Sequence, residues 1–173
     1  MIVQRTFHPL SAILIFTAFV GCSDASGPTD NIGDRLYFNS FESSADTAGW
    51  TRYGSMQLEG EASPEGGRFS VRVAGGCLHP HAALHIHGPA RDSYLVLRCW
   101  GRNLAIGGGV SLMRTRDFTG ALHISVSDTT WTFYQSPDTL FCPAGDTLRI
   151  EMSSGGIVNS AMLVDQLEVC AIR

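Results

Sequence analysis

The chain has 173 residues, 12 basic and 16 acidic side chains, and a formal net charge of −4 with histidine neutral. Every basic residue is an arginine, scattered singly along the chain, so the clustered positive surface that nucleic-acid binding needs is absent. A length of this order supports one domain around one core.

The N-terminal 21 residues, "MIVQRTFHPLSAILIFTAFVG", carry one early arginine, an apolar run over residues 10–20 and a closing glycine. This is the layout of a bacterial export signal, and the run is too short to span a bilayer comfortably. Phe19, Val20, Gly21 and Cys22 resemble the lipobox of bacterial lipoproteins. The resemblance implies cleavage before Cys22 and acylation of its thiol, with ordinary secretion as the alternative. Ser23, in place of an aspartate, slightly favours outer-membrane sorting by analogy with enterobacterial lipoproteins. "SDASGPTDNIGD", residues 23–34, is small and polar and reads as a flexible tether of roughly 20 Å. The expected division is a signal over 1–21, a lipidated cysteine and tether over 22–34, and one domain over 35–173.

From Leu36 onward there is no long segment of helical periodicity. Short apolar or alternating runs follow one another: "LYFNSF", "GWTRYG", "MQLEG", "RFSVRVA", "AALHIHG", "SYLVLRCWG", "GVSLMRT", "ALHISVS", "TWTFYQSPDTLF", "DTLRIEM" and "AMLVDQLEVCAI". Breaks such as "SPEGG", "GPARD", "AIGGG" and "PAGD" supply turn chemistry. The pattern predicts an all-β sandwich or jelly roll of eleven strands.

Four cysteines remain beside Cys22, namely Cys77, Cys99, Cys142 and Cys170. In an exported chain an even number reads as two disulfides, and the lack of any Cys-x-x-Cys argues against zinc. Four of the six histidines, His79, His81, His85 and His87, fall within "CLHPHAALHIHG". Strand alternation places Leu84 and Ile86 on one face of "AALHIHG" and His85 and His87 on the other, and likewise turns His123 away from Leu122 and Ile124. Such imidazoles suit a solvated face, a glycan contact or a transition metal shared by His85 and His87 with His79 or His81 from the adjoining loop. Trp50 and Trp131 read as core residues. Alternation places Trp100 with Arg98 and Arg102, opposite Leu95, Leu97 and Cys99, as a ring-stacking platform or a surface covered by N-terminal strands; Tyr53 is a second candidate platform. No nucleophile elbow, zincin motif or phosphate loop occurs, and Glu59 with Glu61 has the look of a solvated strand face, so the expectation is a protein without catalytic activity.

"NSFESSADTAGW", "EGGRFSVRVAG", "YLVLRCWGR", "TTWTFYQSPDTLFCPAGDTLRIEM" and "AMLVDQLEV" resemble, in that order, the galactose-binding-like jelly rolls among carbohydrate-binding modules of bacterial glycoside hydrolases. The resemblance covers residues 36–170 and implies a two-sheet jelly-roll sandwich. It implies a structural Ca²⁺ held by Glu42 and Asp165 with carbonyls of the "EGGR" loop, a site type whose hard oxygens suit that ion; the alternative is that Glu42 caps a loop and Asp165 pairs with an arginine. It also implies that "AALHIHG", "DTLRIEM", "GVSLMRT" and "ALHISVS" share one sheet, with His85, His87, Arg149, Glu151, Ser111, Met113, His123 and Ser125 outward. That face has hydrogen-bonding groups but no Trp or Tyr. The jelly-roll order further implies that Cys77 pairs with Cys99, and Cys142 with Cys170. The expectation is an envelope-anchored, non-catalytic lipoprotein that binds a glycan or glycoconjugate through His85, His87, His123, Arg149, Glu151 or Trp100. The alternative is a structural or protein-interaction lipoprotein that keeps the jelly roll without sugar binding.

Overall fold

The computed structural model describes residues 32–75, 82–116, 120–155 and 159–172. The export signal, Cys22, most of the tether, Cys77, His79 and His81 lie outside the described residues. The alternating runs become twelve strands: β1 (Ile32–Asn39), β2 (Thr51–Arg52), β3 (Ser55–Glu59), β4 (Ser70–Ala74), β5 (Ala82–His87), β6 (Ser93–Ala105), β7 (Gly108–Arg114), β8 (Ala121–Val126), β9 (Thr132–Gln135), β10 (Leu140–Cys142), β11 (Thr147–Ser154) and β12 (Ala161–Ile172). One 3₁₀ turn over Ser44–Thr47 follows β1.

They form two antiparallel sheets, one of seven strands and one of five, packed as a jelly-roll sandwich. The spine of the larger sheet is the pair of long strands β6 and β12. Shorter strands share their outer edges in succession: β9 and β10 along β6, and β4 and β1 along β12, with β3 beyond β4. The smaller sheet runs β2-β5-β11-β7-β8, so the four runs expected to share a sheet do so in the expected order, with β2 added at the edge.

Two local devices set this layout. "TWTFYQSPDTLF" divides into β9 and β10 at Pro137, whose missing N–H cannot serve the ladder. Ser136 bridges the gap, its N–H donating to Leu97 O at 2.8 Å and its Oγ accepting from Leu97 N at 3.2 Å. On β12 the register shifts between Asp165 and Glu168, where Gln166 adopts a left-handed φ of 48°. This bulge marks the point at which β12 passes from pairing with β4 to pairing with β1. Strand β1 also starts earlier than the composition suggests: residues 32–34, assigned to the tether, pair with the end of β12 through Ile32 and Ile172.

The inward faces meet in one core that includes Phe41, Trp50, Val71, Leu97, Leu112, Ile150, Met162 and Leu167. Trp50 is a core residue, as expected. Trp131 is not: it is half-buried just before β9, and its indole N–H donates to Glu61 Oε1 at 3.1 Å.

The expected disulfides are absent, since Cys99, Cys142 and Cys170 are free, buried thiols. β6 lies between β10 and β12, and Cys142 is level with Ser93 while Cys170 is level with Val96, which puts the two cysteines roughly 14 Å apart, beyond disulfide reach. Cys142 also joins the core cluster, whereas Cys170, out of phase with the core residues Val169 and Ala171, points away from it. Ala74 at the end of β4 lies level with Ala105 of β6 through Ala161, so Cys99 stands six residues along the strand, roughly 20 Å from that level. Burial pushes the Cys99 thiol up to about 12. Burial, then the neighbouring Glu168 charge, raises Cys170 to about 11.

Candidate functional site

Strand alternation in the five-stranded sheet sends Leu122, Ile124, Leu148, Ile150 and Met152 into the core and the intervening residues outward. Register then decides which outward residues meet. His85, Arg149 and Met113 form one row across β5, β11 and β7, with Ala121 of β8 at its end. Ala83, Glu151, Ser111 and His123 form the next. His87 stands opposite Thr147, one row further along.

Arg149 Nη2 lies 2.8 Å from Glu151 Oε1, and both side chains are mostly buried, at 20% and 13% exposure. Glu151 offers only acceptors and Arg149 only donors, and Arg149 Nε is buried without a partner. His123 is also held: Ser111 Oγ lies 2.9 Å from its Nδ1, and its ring leans over Gly109, where a Cβ would stand 2.5 Å from Cε1. The ring therefore occupies space that only glycine leaves open. His85, His87 and His123 are exposed. The face thus unites a guanidinium, a carboxylate, three imidazoles and the Ser111 and Ser125 hydroxyls, a donor and acceptor set suited to a polyhydroxylated ligand.

The metal reading of His85 and His87 calls on His79 or His81, which lie outside the described residues, and His123 stands three strands from His85, roughly 14 Å. Among the described residues no group of three His, Cys, Asp or Glu is placed to hold a metal ion.

Glu42 and Asp165 come together on the opposite, seven-stranded sheet under the loop between β3 and β4. Phe41, with φ 54°, drops its ring into the core and turns Glu42 toward that loop. Glu42 accepts the N–H groups of Gly67 at 3.1 Å and Arg68 at 2.8 Å, so the "EGGR" loop presents amides to it. Asp165 is fully buried, accepting Ser63 N–H at 2.9 Å and Gln166 N–H at 2.7 Å, with no arginine partner among the described residues. Burial raises its pKa above the ordinary aspartate value; the Ser63 and Gln166 hydrogen bonds lower it, and the Glu42 charge raises it. Ser63 Oγ lies buried beside Asp165, and Gly66 leaves the space beside Asp165 Oδ2 that a side chain would fill. Glu42 thus caps the loop, which turns amides rather than the expected carbonyls toward it, and the charge of Glu42 beside Asp165 is what a hard divalent cation would offset.

Trp100 lies on the outer face of the same sheet, half-buried, donating from Nε1 to Glu65 Oε2 at 3.3 Å. Its cross-strand partner Phe133 meets it edge-on, with ring centroids 5.7 Å apart. Tyr53 is exposed just beyond β2. Phe133 and Phe38 escaped the sequence reading; alternation in "TWTFYQ" turns Phe133 away from Tyr134, and the pairing of β9 with β6, which alternation does not reveal, brings it to Trp100.

No protein-family model matches the chain, and neither does any curated protein. Solved structures do. The CBM22-1 xylan-binding domain from Paenibacillus barcinonensis Xyn10C is similar over 82% of this chain and 96% of its own, with a TM-score of 0.59 and 17% identity. The enzymatically active domain of the bacteriophage CBA120 tailspike protein 4 matches 77% of this chain and 20% of its own, with a TM-score of 0.57 and 15% identity. The carbohydrate-binding module CBM6cm-2 from Cellvibrio mixtus lichenase 5A, in complex with cellotriose, matches 81% of this chain and all of its own (100%), with a TM-score of 0.50 and 15% identity. At these identities the likeness is one of fold: the chain has the two-sheet jelly roll seen in carbohydrate-binding modules.

Proposed function

We propose that the chain is an exported, lipid-anchored binding protein of the bacterial envelope that takes a glycan or glycoconjugate on the outer face of its five-stranded sheet, without catalysing its breakdown. The observation that carries this reading is the register that sets His85 beside Arg149 and Glu151 beside Ser111 and His123. Hydroxyl-rich ligands need many short, fixed hydrogen bonds, and side chains held by one another lose little entropy on binding. The xylan-binding and cellotriose-bound modules of similar fold lend support by analogy of fold. The reading is tested by titrating the purified chain with glycans: Arg149→Ala and His87→Ala should each weaken binding at this face, the exposed His87→Ala while leaving the melting temperature within a few degrees and Arg149→Ala with a larger drop because it leaves the mostly buried Glu151 unpaired.

The anchor would be Cys22, acylated after cleavage behind Gly21, with the outer membrane as destination. Acyl chains on Cys22, read by mass spectrometry of detergent-extracted material, test it. Calcium would bind through Glu42 and Asp165, where it would cross-link the segment after β1 to strand β12 beneath the β3–β4 loop.

The second reading is a structural or protein-interaction lipoprotein. It is favoured by one observation: the described outward residues of the five-stranded sheet include no Trp, Tyr or Phe on which a sugar could stack.

A further inference from the structure

The phenyl and indole rings missing from one face are present on the other. Across the outer face of the seven-stranded sheet, register aligns Phe38 of β1, Glu168 of β12, Arg98 of β6 and Gln135 of β9, and places Phe133 and Trp100 as the next cross-strand pair on β9 and β6. Phe38 and Phe133 are 41% and 42% exposed, an unusual outlay of apolar surface on two strands of one sheet.

Both rings are fixed by their neighbours. The Arg35 guanidinium lies 4.5 Å from the Phe38 centroid and its Nε 3.1 Å from Glu168 Oε2. The Arg98 guanidinium lies 5.3 Å from the Phe133 centroid and 3.5 Å from Glu168 Oε1. Glu168 thus joins two arginines, each stacked on an exposed phenylalanine, and Trp100 holds the far end through Glu65. Arg102 closes the edge by pairing with Glu61. The three guanidinium groups of Arg35, Arg98 and Arg102 balance the three carboxylates of Glu61, Glu65 and Glu168. The belt is therefore charge-neutral, and its exposed rings stand three strands apart, roughly 14 Å.

Preset rings alternating with hydrogen-bonding groups match a chain of pyranose units, which presents apolar C–H faces flanked by hydroxyls. Charge balance selects against a polyanion and fits a neutral chain. From this geometry we infer that the Phe38–Arg35–Glu168–Arg98–Phe133–Trp100 belt is a second glycan-binding surface, for neutral polysaccharide, which rests on the glycan-binding reading above. Because the belt and the His85–Arg149–His123 face lie on opposite sides of the sandwich, the domain is bivalent. It can bridge two polysaccharide strands, or gain avidity on one that wraps around it.

The test is calorimetric titration of the purified chain with xylohexaose, cellohexaose and a galactohexaose, repeated with Phe133→Ala, Trp100→Ala and Arg149→Ala. Phe133 is outside the core, so its truncation leaves folding intact, which thermal melting checks in each variant. Expected are two equivalents of hexasaccharide per chain, of which Phe133→Ala or Trp100→Ala removes or weakens one by at least tenfold and Arg149→Ala affects the other. A single equivalent lost with Phe133→Ala and kept in Arg149→Ala supports the belt and overturns the opposite face. A single equivalent lost with Arg149→Ala and unchanged in Phe133→Ala and Trp100→Ala overturns the belt while the glycan reading stands. No heat with any hexasaccharide overturns both.

Discussion

Asp165→Asn separates the buried carboxylate from the cation it would hold. In the absence of metal, the variant keeps one carbonyl oxygen for either Ser63 N–H or Gln166 N–H and leaves the other amide unpaired, a loss of about 1–3 kcal/mol. It also removes a buried charge that faces Glu42, which offsets part of that loss. The net change in EDTA is therefore small. With Ca²⁺ at a hundredfold excess over Kd, the native chain gains about 2.7 kcal/mol that the variant lacks. At about 2–4 °C per kcal/mol for a domain of this size, calcium should raise the native melting temperature by roughly 5–11 °C and leave the variant unmoved. The pH dependence gives a second handle. Asp165 has a folded pKa raised above its unfolded value, so without cation its contribution is complete below the unfolded value near ~3.9 and is lost as pH rises through the folded one. With calcium the proton competes with the ion, and stability instead rises with pH. The assay is circular-dichroism melting of both forms in EDTA and in calcium across mildly acidic pH, read as the difference between native and variant. A native-minus-variant slope of the same sign in both buffers, or a calcium shift retained by Asp165→Asn, would refute the reasoning.

The three described cysteines should be silent toward Ellman's reagent in the native protein and titrate after denaturation without reductant; a Cys142–Cys170 peptide in a non-reducing digest would contradict this. Cys99 alone should lower stability by about 4 kcal/mol as pH rises from the ordinary thiol range toward its value of about 12, since the buried thiol stays protonated while the unfolded one ionises, and Cys170 adds to the fall up to about 11. Gly109→Ala should displace the His123 ring and press on Ile124 O, destabilising the chain by about 1–3 kcal/mol and weakening glycan affinity at that face; unchanged melting and affinity would show that the ring is free to move. Cys22→Ala should release the protein from membranes of a host with lipoprotein processing, and a variant that stays as firmly bound and is cut at the same place would rule out the anchor.

Alternation made much of the fold legible, because a strand with one buried face must place apolar residues at every second position. "ALHISVS" and "DTLRIEM" show this directly, and their outward residues were identifiable before any coordinates. Pairing order was legible through the resemblance of ordered motifs to the jelly rolls, and that topology put β5, β11, β7 and β8 in one sheet. What stayed hidden depends on three-dimensional offsets. The bulge at Gln166 requires a left-handed residue that is not glycine, and nothing in "VDQLE" announces it. Trp131 reads as core because it opens an apolar run, yet β9 pairs only along the edge of β6, which leaves the indole beside Glu61. The cysteines illustrate the same limit: their even number suits disulfides, but number is blind to the strand between Cys142 and Cys170 and to which side of the sheet each faces. The Arg35–Glu168–Arg98 ladder joins residues far apart in the chain, so no local motif signals it.

The central claim, that the outer face of the five-stranded sheet receives a glycan, is tested most directly by the imidazole ¹⁵N–¹H spectrum of the purified chain during titration with the strongest ligand from a glycan array. Resonances of His85, His87 and His123 should move together and saturably, with one dissociation constant that is lost in Arg149→Ala, and the glycan should be recovered uncleaved. An array without ligands, or a bound glycan that leaves all three imidazoles unmoved, would contradict the account.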